Sequence, residues 1–213
     1  VSGDDMIEID PIVLGHNQFI GVNHLSQEAG RDKEALFRDL DAVTEVVRFS
    51  AENGVRALMV SSHPRMKIIL EHLREKGLED LTLYPIIPSA QEYVRQLGEK
   101  GALGLLNEML APAGILTKSR ILLKGGIGVL RRNTFDLLGT LIDMELLPFR
   151  HFPVRVVFLH NILTDLALGL GNREIFGFWV EYIREKHNAV PGFATMNFAR
   201  LVNKLDEWDL GNV

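Results

Sequence analysis

Short apolar runs alternate with longer amphipathic stretches along most of the chain. Each run is rich in aliphatic and β-branched residues and is bounded by glycine, proline or a polar residue, which is the pattern of a buried β-strand. The predicted strands are 9–15, 55–61, 81–87, 102–106, 154–159 and 190–196. The run at 102–106 fits a continuing helix equally well. Pro85 stands inside the third strand, where a missing N–H group indicates a bulge or an early end.

Residues at helical spacing fill the intervals between these runs. Asp32 is placed as the N-cap of a first helix, which Asn53 and Gly54 end. Its apolar stripe consists of Leu36, Leu40, Val43 and Val47. A second helix begins at Pro64, which suits the first turn, and it ends at Gly77. Its buried face consists of Met66, Ile69, Leu70 and Leu73.

Further helical stripes start at Phe135, at Ile175 and at Phe198. The middle one is strongly aromatic, and its spacing favours packing in the core over a docking surface. Its aromatic members are Phe176, Phe178, Trp179 and Tyr182.

Strand and helix alternate throughout, which predicts an α/β fold with parallel strands. Two architectures fit this order, a barrel and an open doubly wound sheet. Polar residues follow nearly every strand, and no dinucleotide-binding fingerprint is present, so a (β/α)8 TIM barrel is favoured. About six strand–helix units are recognisable in 213 residues. We therefore expect one domain, residues 1–213, forming an incomplete or atypically closed barrel.

Composition and charge narrow the functional classes. A net charge of -5 gives no basic surface for nucleic acid or an anionic membrane. The absence of cysteine excludes disulfides and thiolate chemistry. No apolar run reaches the roughly 20 residues of a membrane-spanning helix, and no secretory leader opens the chain. These features predict a soluble cytoplasmic protein.

Three histidines come directly after predicted strands, namely His16, His63 and His160. Imidazole transfers protons near neutral pH and is the commonest metal ligand in proteins. Together with Glu108, these residues are the predicted catalytic groups. His63, His160 and Glu108 are also a candidate site for zinc, manganese or iron. The alternative is structural, with one histidine capping the helix of Pro64 and another hydrogen-bonded within a loop.

Amide and hydroxyl side chains occupy the same strand ends. Such groups bind the hydroxyl and carbonyl oxygens of small metabolites. The predicted substrate-binding residues are Asn17, Ser61, Ser62, Asn107, Asn161 and Asn197. Asparagine is also a preferred helix cap, and capping is expected for at least two of the four. Asp165 is a weaker candidate for an acid or base, since it lies several residues beyond its strand.

The stretch 111–130 has no clean period and contains many glycines. Successive N–H groups in such a stretch can wrap a phosphate, but no Gly-Lys-Ser/Thr ending is present. The segment is interpreted as an irregular connection or a lid over the substrate.

The segment 12–21, an apolar strand that ends in Leu-Gly before His16, resembles the first strand and loop of aldo-keto reductase-like barrels. The segment 53–57 is similar to the start of that family's second strand. The resemblance covers about a quarter of the chain and implies a barrel with a nicotinamide cofactor. The family's Asp and Tyr after the second strand are replaced here by Ser61, Ser62, His63 and Pro64.

The sequence thus predicts an enzyme that acts on a small polar metabolite at the strand ends. Oxidoreductase-like chemistry with nicotinamide or flavin is slightly favoured over metal-dependent hydrolysis, elimination or isomerisation. A non-catalytic ligand-binding barrel is the alternative from another class. Neither nucleic acid nor a membrane is an expected partner, and a homodimer is expected from the outer helices of such folds.

Overall fold

Strands and helices alternate along the parts of the chain that the computed structural model describes, which are residues 9–22, 27–88 and 127–211. The predicted strand at 102–106, Asn107, Glu108 and most of the segment 111–130 lie outside these residues. In chain order the elements are β1 (Val13–Leu14), the 3-10 helix η1 (Asn17–Ile20), α1 (Gln27–Leu36), α2 (Leu40–Glu52), β2 (Ala57–Ser61), α3 (Pro64–Glu75), β3 (Thr82–Ile87), α4 (Ile127–Leu146), the 3-10 helix η2 (Leu147–Phe149), β4 (Val156–Leu159), α5 (Asn161–Gly169), α6 (Arg173–His187), β5 (Val190–Phe193) and α7 (Phe198–Glu207).

The five strands form one parallel sheet in the order β1-β2-β3-β4-β5. The α/β class and the parallel pairing agree with the sequence pattern, but the prediction of an eight-stranded TIM barrel is wrong. The described residues form a single sheet of five strands, with β1 and β5 at its edges. Alternation of strands and helices is common to barrels and open sheets, so it did not decide between them. Polar residues after each strand did not decide either, since several of them cap the following helix.

One face of the sheet carries the main core. Leu58 and Val60 of β2 lie on this face with Leu83 of β3 and Val157 of β4, and each is at most 1% exposed. Helices α2, α3, α4 and α6 pack against them. The opposite face is covered less completely, with a small cluster made of strand residues around Ala57, Tyr84 and Val156.

The register between β3 and β4 shifts by one residue across Pro85. Leu83 lies opposite Val154, whereas Ile86 lies opposite Phe158, so the β4 side has one more residue in this interval. The extra residue accommodates the imino group, which cannot donate to the ladder. The irregularity predicted at Pro85 is therefore present, although β3 continues through it to Ile87.

The predicted first helix is two helices, α1 and α2. The carboxylate of Asp39 accepts a hydrogen bond from the backbone N–H of Asp41, which makes Asp39 the N-cap of α2 and not Asp32. The break turns Leu36 outward, where it is 58% exposed. The apolar residues keep the same helical spacing on both sides of Asp39. The sequence pattern therefore gave no sign that one helix ends and another begins there.

The α3 and α6 predictions are confirmed. Pro64 occupies the first turn of α3, whose four predicted apolar residues are buried, and Gly77 follows the helix with a φ of 74°. In α6, Phe176 and Trp179 are at most 2% exposed, so the aromatic stripe belongs to the core. None of the helices in the described ranges is long and apolar enough to cross a membrane.

Candidate active site

The carboxyl ends of β1 and β2 bring His16 and Ser61 together. The Nε2 atom of His16 lies 2.9 Å from the Oγ atom of Ser61. His16 is 5% exposed, and it is one of the few polar side chains buried among the described residues. Adjacent parallel strands end at the same edge of the sheet, which explains why residues 45 positions apart meet here.

The ring of His16 is uncharged at neutral pH. Burial, with a further contribution from the nearby His63, lowers the pKa of His16 from 6.5 to about 4. A charged ring would lose its hydration in this position, and a second imidazolium beside it would add repulsion. The neutral ring and the Ser61 hydroxyl thus form an uncharged hydrogen-bonded pair.

Arg65 holds the loop that carries His16. Its Nε atom donates to the carbonyl oxygen of Phe19 at 2.8 Å, and its guanidinium also donates to the carbonyl oxygen of Phe37. Phe19 is 2% exposed and its ring meets that of Phe37 edge-on. The first turn of α3 therefore fixes η1, and with it the position of the His16 ring at the start of η1.

His63 is the N-cap of α3. Its Nδ1 atom accepts a hydrogen bond of 3.2 Å from the backbone N–H of Arg65. An accepting Nδ1 carries no proton, so the neutral ring carries its proton on Nε2. The structural alternative raised by the sequence, a histidine that caps the helix of Pro64, is therefore present.

His160 repeats this arrangement at the end of β4. Its Nδ1 atom accepts a hydrogen bond of 3.3 Å from the backbone N–H of Ile162, and it caps α5. Burial lowers the pKa of His160, which favours the neutral form that the cap requires. His160 lies two strands away from His63 in the sheet, about 10 Å at the usual spacing of strands. The predicted group of three histidines is therefore one close pair and one separate residue.

Glu145 contacts the residue that follows Ser61, and the sequence interpretation missed this contact. The hydroxyl of Ser62 donates a hydrogen bond to its Oε2 atom, which joins the end of β2 to the last turn of α4. The two residues are 83 positions apart, and Glu145 follows no strand, so no pattern in the sequence connected them.

Neither Asn161 nor Asn197 caps a helix through its side chain. Asn197 stands at the N-cap position of α7 without a side-chain hydrogen bond of that kind, and Asn161 is the first residue of α5, after the cap. Asn17 is exposed at the start of η1. The prediction of a side-chain cap is wrong for Asn161 and Asn197, and at α5 the preceding His160 provides the acceptor.

Asp165 connects α5 to the segment after β5. Its carboxylate accepts hydrogen bonds from the hydroxyl of Thr195 at 2.5 Å and from the backbone N–H of Met196 at 3.0 Å. Both oxygens are thereby engaged in holding this segment. Asp165 is a structural residue at the β5 end of the sheet.

The described residues contain no group of three histidine, aspartate or glutamate side chains that could hold a metal ion. His63 and His160 each use Nδ1 for a helix cap, and they lie two strands apart. A structural or catalytic zinc site needs three or four ligands at about 2 Å from one ion. The donors on the described part of the chain do not fit this requirement, and Glu108 lies outside it.

Comparison of the chain with models of protein families, with curated proteins and with solved structures finds no match. The resemblance to aldo-keto reductase-like proteins is untested. Oxidoreductase activity and a nicotinamide or flavin cofactor likewise stay predictions from the sequence. The assignment of a function depends on the geometry of the site.

Proposed function

We propose that the protein is an enzyme that acts on a small polar metabolite at the carboxyl ends of β1 and β2. The observation that carries this proposal is the buried, uncharged His16 in hydrogen-bond contact with Ser61 and next to His63. Titratable groups with strongly shifted pKa values are concentrated at functional sites, because catalysis needs them in a defined protonation state.

The pair of His16 and Ser61 positions a hydroxyl group. An imidazole with a pKa of about 4 is too weak a base to remove the serine proton at neutral pH. It is well suited to hold the hydroxyl in one orientation. Ser61 then binds an oxygen atom of the substrate, and its orientation selects which oxygen is bound.

Proton transfer is assigned to the groups on either side of this pair. His63 supplies an imidazole with its proton on Nε2, and Glu145 supplies a carboxylate beside Ser62. An imidazole and a carboxylate near one bound substrate are the groups used as general acid and base by hydrolases, lyases and isomerases. Their chemistry suits a hydroxylated or carbonyl-containing substrate.

A test begins with a search for the ligand by NMR. The Cε1–H signals of the histidine rings are recorded while hydroxy acids, sugars and sugar phosphates are added in turn. A ligand of this site shifts the signals of His16 and His63 and leaves that of His151 unchanged. Each ligand is then incubated with the protein, and new product signals are followed.

Two serine variants separate the site from general effects on folding. S61A removes the hydroxyl that contacts His16, and we expect about tenfold weaker binding and a loss of turnover. S50A is the matched control, because the hydroxyl of Ser50 bonds only to the carbonyl oxygen of Val46 within α2. Equal binding and turnover in S61A and the unaltered protein would contradict the proposal.

Ligand binding without turnover is the second candidate function. The observation that favours it is the capping role of His63 and His160, since a histidine can be retained at a strand end for capping alone. Binding that shifts the His16 signal, without product formation over a long incubation, would support this function over catalysis.

A further inference from the structure

Two cavities flank η2, on a part of the surface that shares no lining residue with the site of His16 and Ser61. The first, here called the apolar cavity, has a volume of about 370 Å³. The second, here called the basic cavity, has a volume of about 250 Å³. Leu147, Arg150 and Phe152 line both of them. Arg150 therefore belongs to two adjoining spaces that share three lining residues.

The apolar cavity has a hydrophobic floor. Phe149 and Val157 are at most 1% exposed, and Leu146 and Phe152 are at most 9% exposed. Its volume lies within the range of sites that hold small organic molecules. The apolar surface open to a ligand there belongs to Leu147, which is 56% exposed, with the buried residues packed behind it.

The rim of the apolar cavity carries one carboxylate, Asp143, which is already paired. It accepts hydrogen bonds from Lys186 at 2.5 Å, from His187 at 3.0 Å and from the hydroxyl of Tyr182 at 2.9 Å. Burial raises the pKa of Asp143, but the bonds from Lys186 and Tyr182 outweigh burial, so the pKa lies below its ordinary value. This carboxylate consequently adds little repulsion toward an anion at Arg150.

The guanidinium of Arg150 has N–H groups that can donate hydrogen bonds to a ligand. Its Nε atom donates to Nε2 of His151 at 2.9 Å, which leaves the N–H groups at the end of the guanidinium. Within the described ranges no carboxylate forms an ion pair with Arg150. The planar end of an arginine matches a carboxylate, which it binds through two parallel hydrogen bonds.

The basic cavity adds further positive charge on the other side of Arg150. Lys67 and Arg74 line it, with Glu71 as its one acidic residue. Neither cation forms an ion pair with another described residue. The charges that line this space are thus positive on balance, which favours an anion held close to Arg150.

We propose that this double cavity binds an amphipathic carboxylate. The apolar body of the ligand lies on the exposed side chains of Leu147 and Met144, and its carboxylate lies against Arg150 with Lys67 and Arg74 nearby. A ligand of this class satisfies both halves of the site, because the apolar part leaves water while the charge stays paired. None of the proposed catalytic residues lines either cavity.

Decanoate is the probe for this proposal, and decanol is its uncharged counterpart. Isothermal titration calorimetry on the full chain should show saturable binding of one decanoate, with affinity falling as salt is raised. Decanol should bind at least about tenfold more weakly, since it lacks the charge that Arg150 pairs. The backbone NMR signals of 146–152 should shift on addition of decanoate.

Variants test the two halves of the site. R150Q should weaken decanoate binding at least about tenfold, whereas R48Q, on the exposed face of α2, should leave it unchanged. L147D should abolish binding, and it should fold normally because Leu147 is 56% exposed. S61A should bind decanoate as the unaltered protein does, which separates this site from the proposed function.

Three results would overturn the proposal. They are the absence of saturable binding by the unaltered protein at millimolar decanoate, equal affinity for decanoate and decanol, and unchanged affinity in R150Q. Shifts confined to His16 and His63 would assign decanoate to the carboxyl ends of the strands and would equally contradict it.

Discussion

His16 and His63 lie close enough that a proton on one imidazole disfavours a proton on the other. Ser61 contacts the first ring, and a backbone N–H of α3 donates to the second. The two rings belong to different turns of the chain but share one local electrostatic environment. Protonation of His16 therefore links the stability of the protein to pH.

We expect the free energy of unfolding to fall between pH 6.5 and pH 4. The unfolded chain protonates His16 near pH 6.5, whereas the folded protein does so only near pH 4. In this window the unfolded state binds the extra proton, so stability decreases as the pH falls. The pKa difference corresponds to a loss on the order of 3 kcal/mol. The lowered pKa of His160 acts in the same direction.

Urea unfolding at a series of pH values measures this loss. H16Q should flatten the pH dependence in the window, because glutamine does not titrate. H151Q should retain the slope of the unaltered protein, since His16 is intact. An H16Q protein that loses as much stability between pH 6.5 and pH 4 as the unaltered protein would show that His16 is not the titrating group.

The cap of α5 gives a second prediction. H160A removes the acceptor for the backbone N–H of Ile162, and we expect a loss of about 1 kcal/mol of stability. H160N should restore most of it, because asparagine is among the best N-cap residues. Thermal unfolding of the three proteins checks this order. Equal stability of H160A and H160N would refute the capping role.

Two helix glycines should respond to alanine in opposite ways. A Cβ atom at Gly139 would lie 2.6 Å from Cε2 of Tyr182, whose ring is held by its hydrogen bond to Asp143. A Cβ atom at Gly177 meets nothing within 4 Å. G139A should therefore destabilise the protein, while G177A should stabilise it by about 0.5–1 kcal/mol through helix propensity. Chemical denaturation of both variants decides whether the Tyr182 contact requires Gly139.

Tyr84 anchors the segment before β1. Its hydroxyl donates to Oδ2 of Asp10 at 2.5 Å and accepts from the backbone N–H of Asp10 at 2.9 Å. Y84F should cost about 1–2 kcal/mol and should speed hydrogen exchange at 9–14. Y182F is the control, since it removes a hydroxyl elsewhere and should leave exchange at 9–14 unchanged. Slow exchange at 9–14 in Y84F would show that other contacts hold the segment.

The sequence predicted local elements well where one physical signal dominated. In α3, Pro64 at the start, four apolar residues at helical spacing and Gly77 at the end all indicated the same helix, and all are found. The positions of the five described strands were also predicted, but the predicted strands extend beyond the residues that pair in the sheet. Apolar character continues past the last ladder bond, so it does not mark where pairing ends.

The arrangement of the strands could not be derived in the same way. Local alternation establishes parallel strands, but the number of strands in a sheet depends on contacts between distant segments. Polar residues after strands suggested the mouth of a barrel, and two of them, His63 and His160, are caps. Capping and catalysis call for the same residue types at the same places in a βα unit.

The candidate site was predicted in part. His16, Ser61 and His63 were expected together because each follows or ends a strand, and adjacent parallel strands bring these positions together. Glu145 was missed because a contact between a strand end and a distant helix leaves no periodic signal. The pKa of His16 also depends on burial, which only the packed structure defines.

The order of strands along the chain is also their order across the described sheet. Each strand therefore pairs with the strand that precedes it in the chain. An edge strand takes part in only one ladder, so the other ladders do not include it. Loss of β5 and α7, for example, would still leave β1, β2, β3 and β4 paired as they are. The pair of His16 and Ser61 follows β1 and ends β2, at the opposite side of the sheet from β5, so a change at the β5 edge leaves the pairing beneath this site as it is.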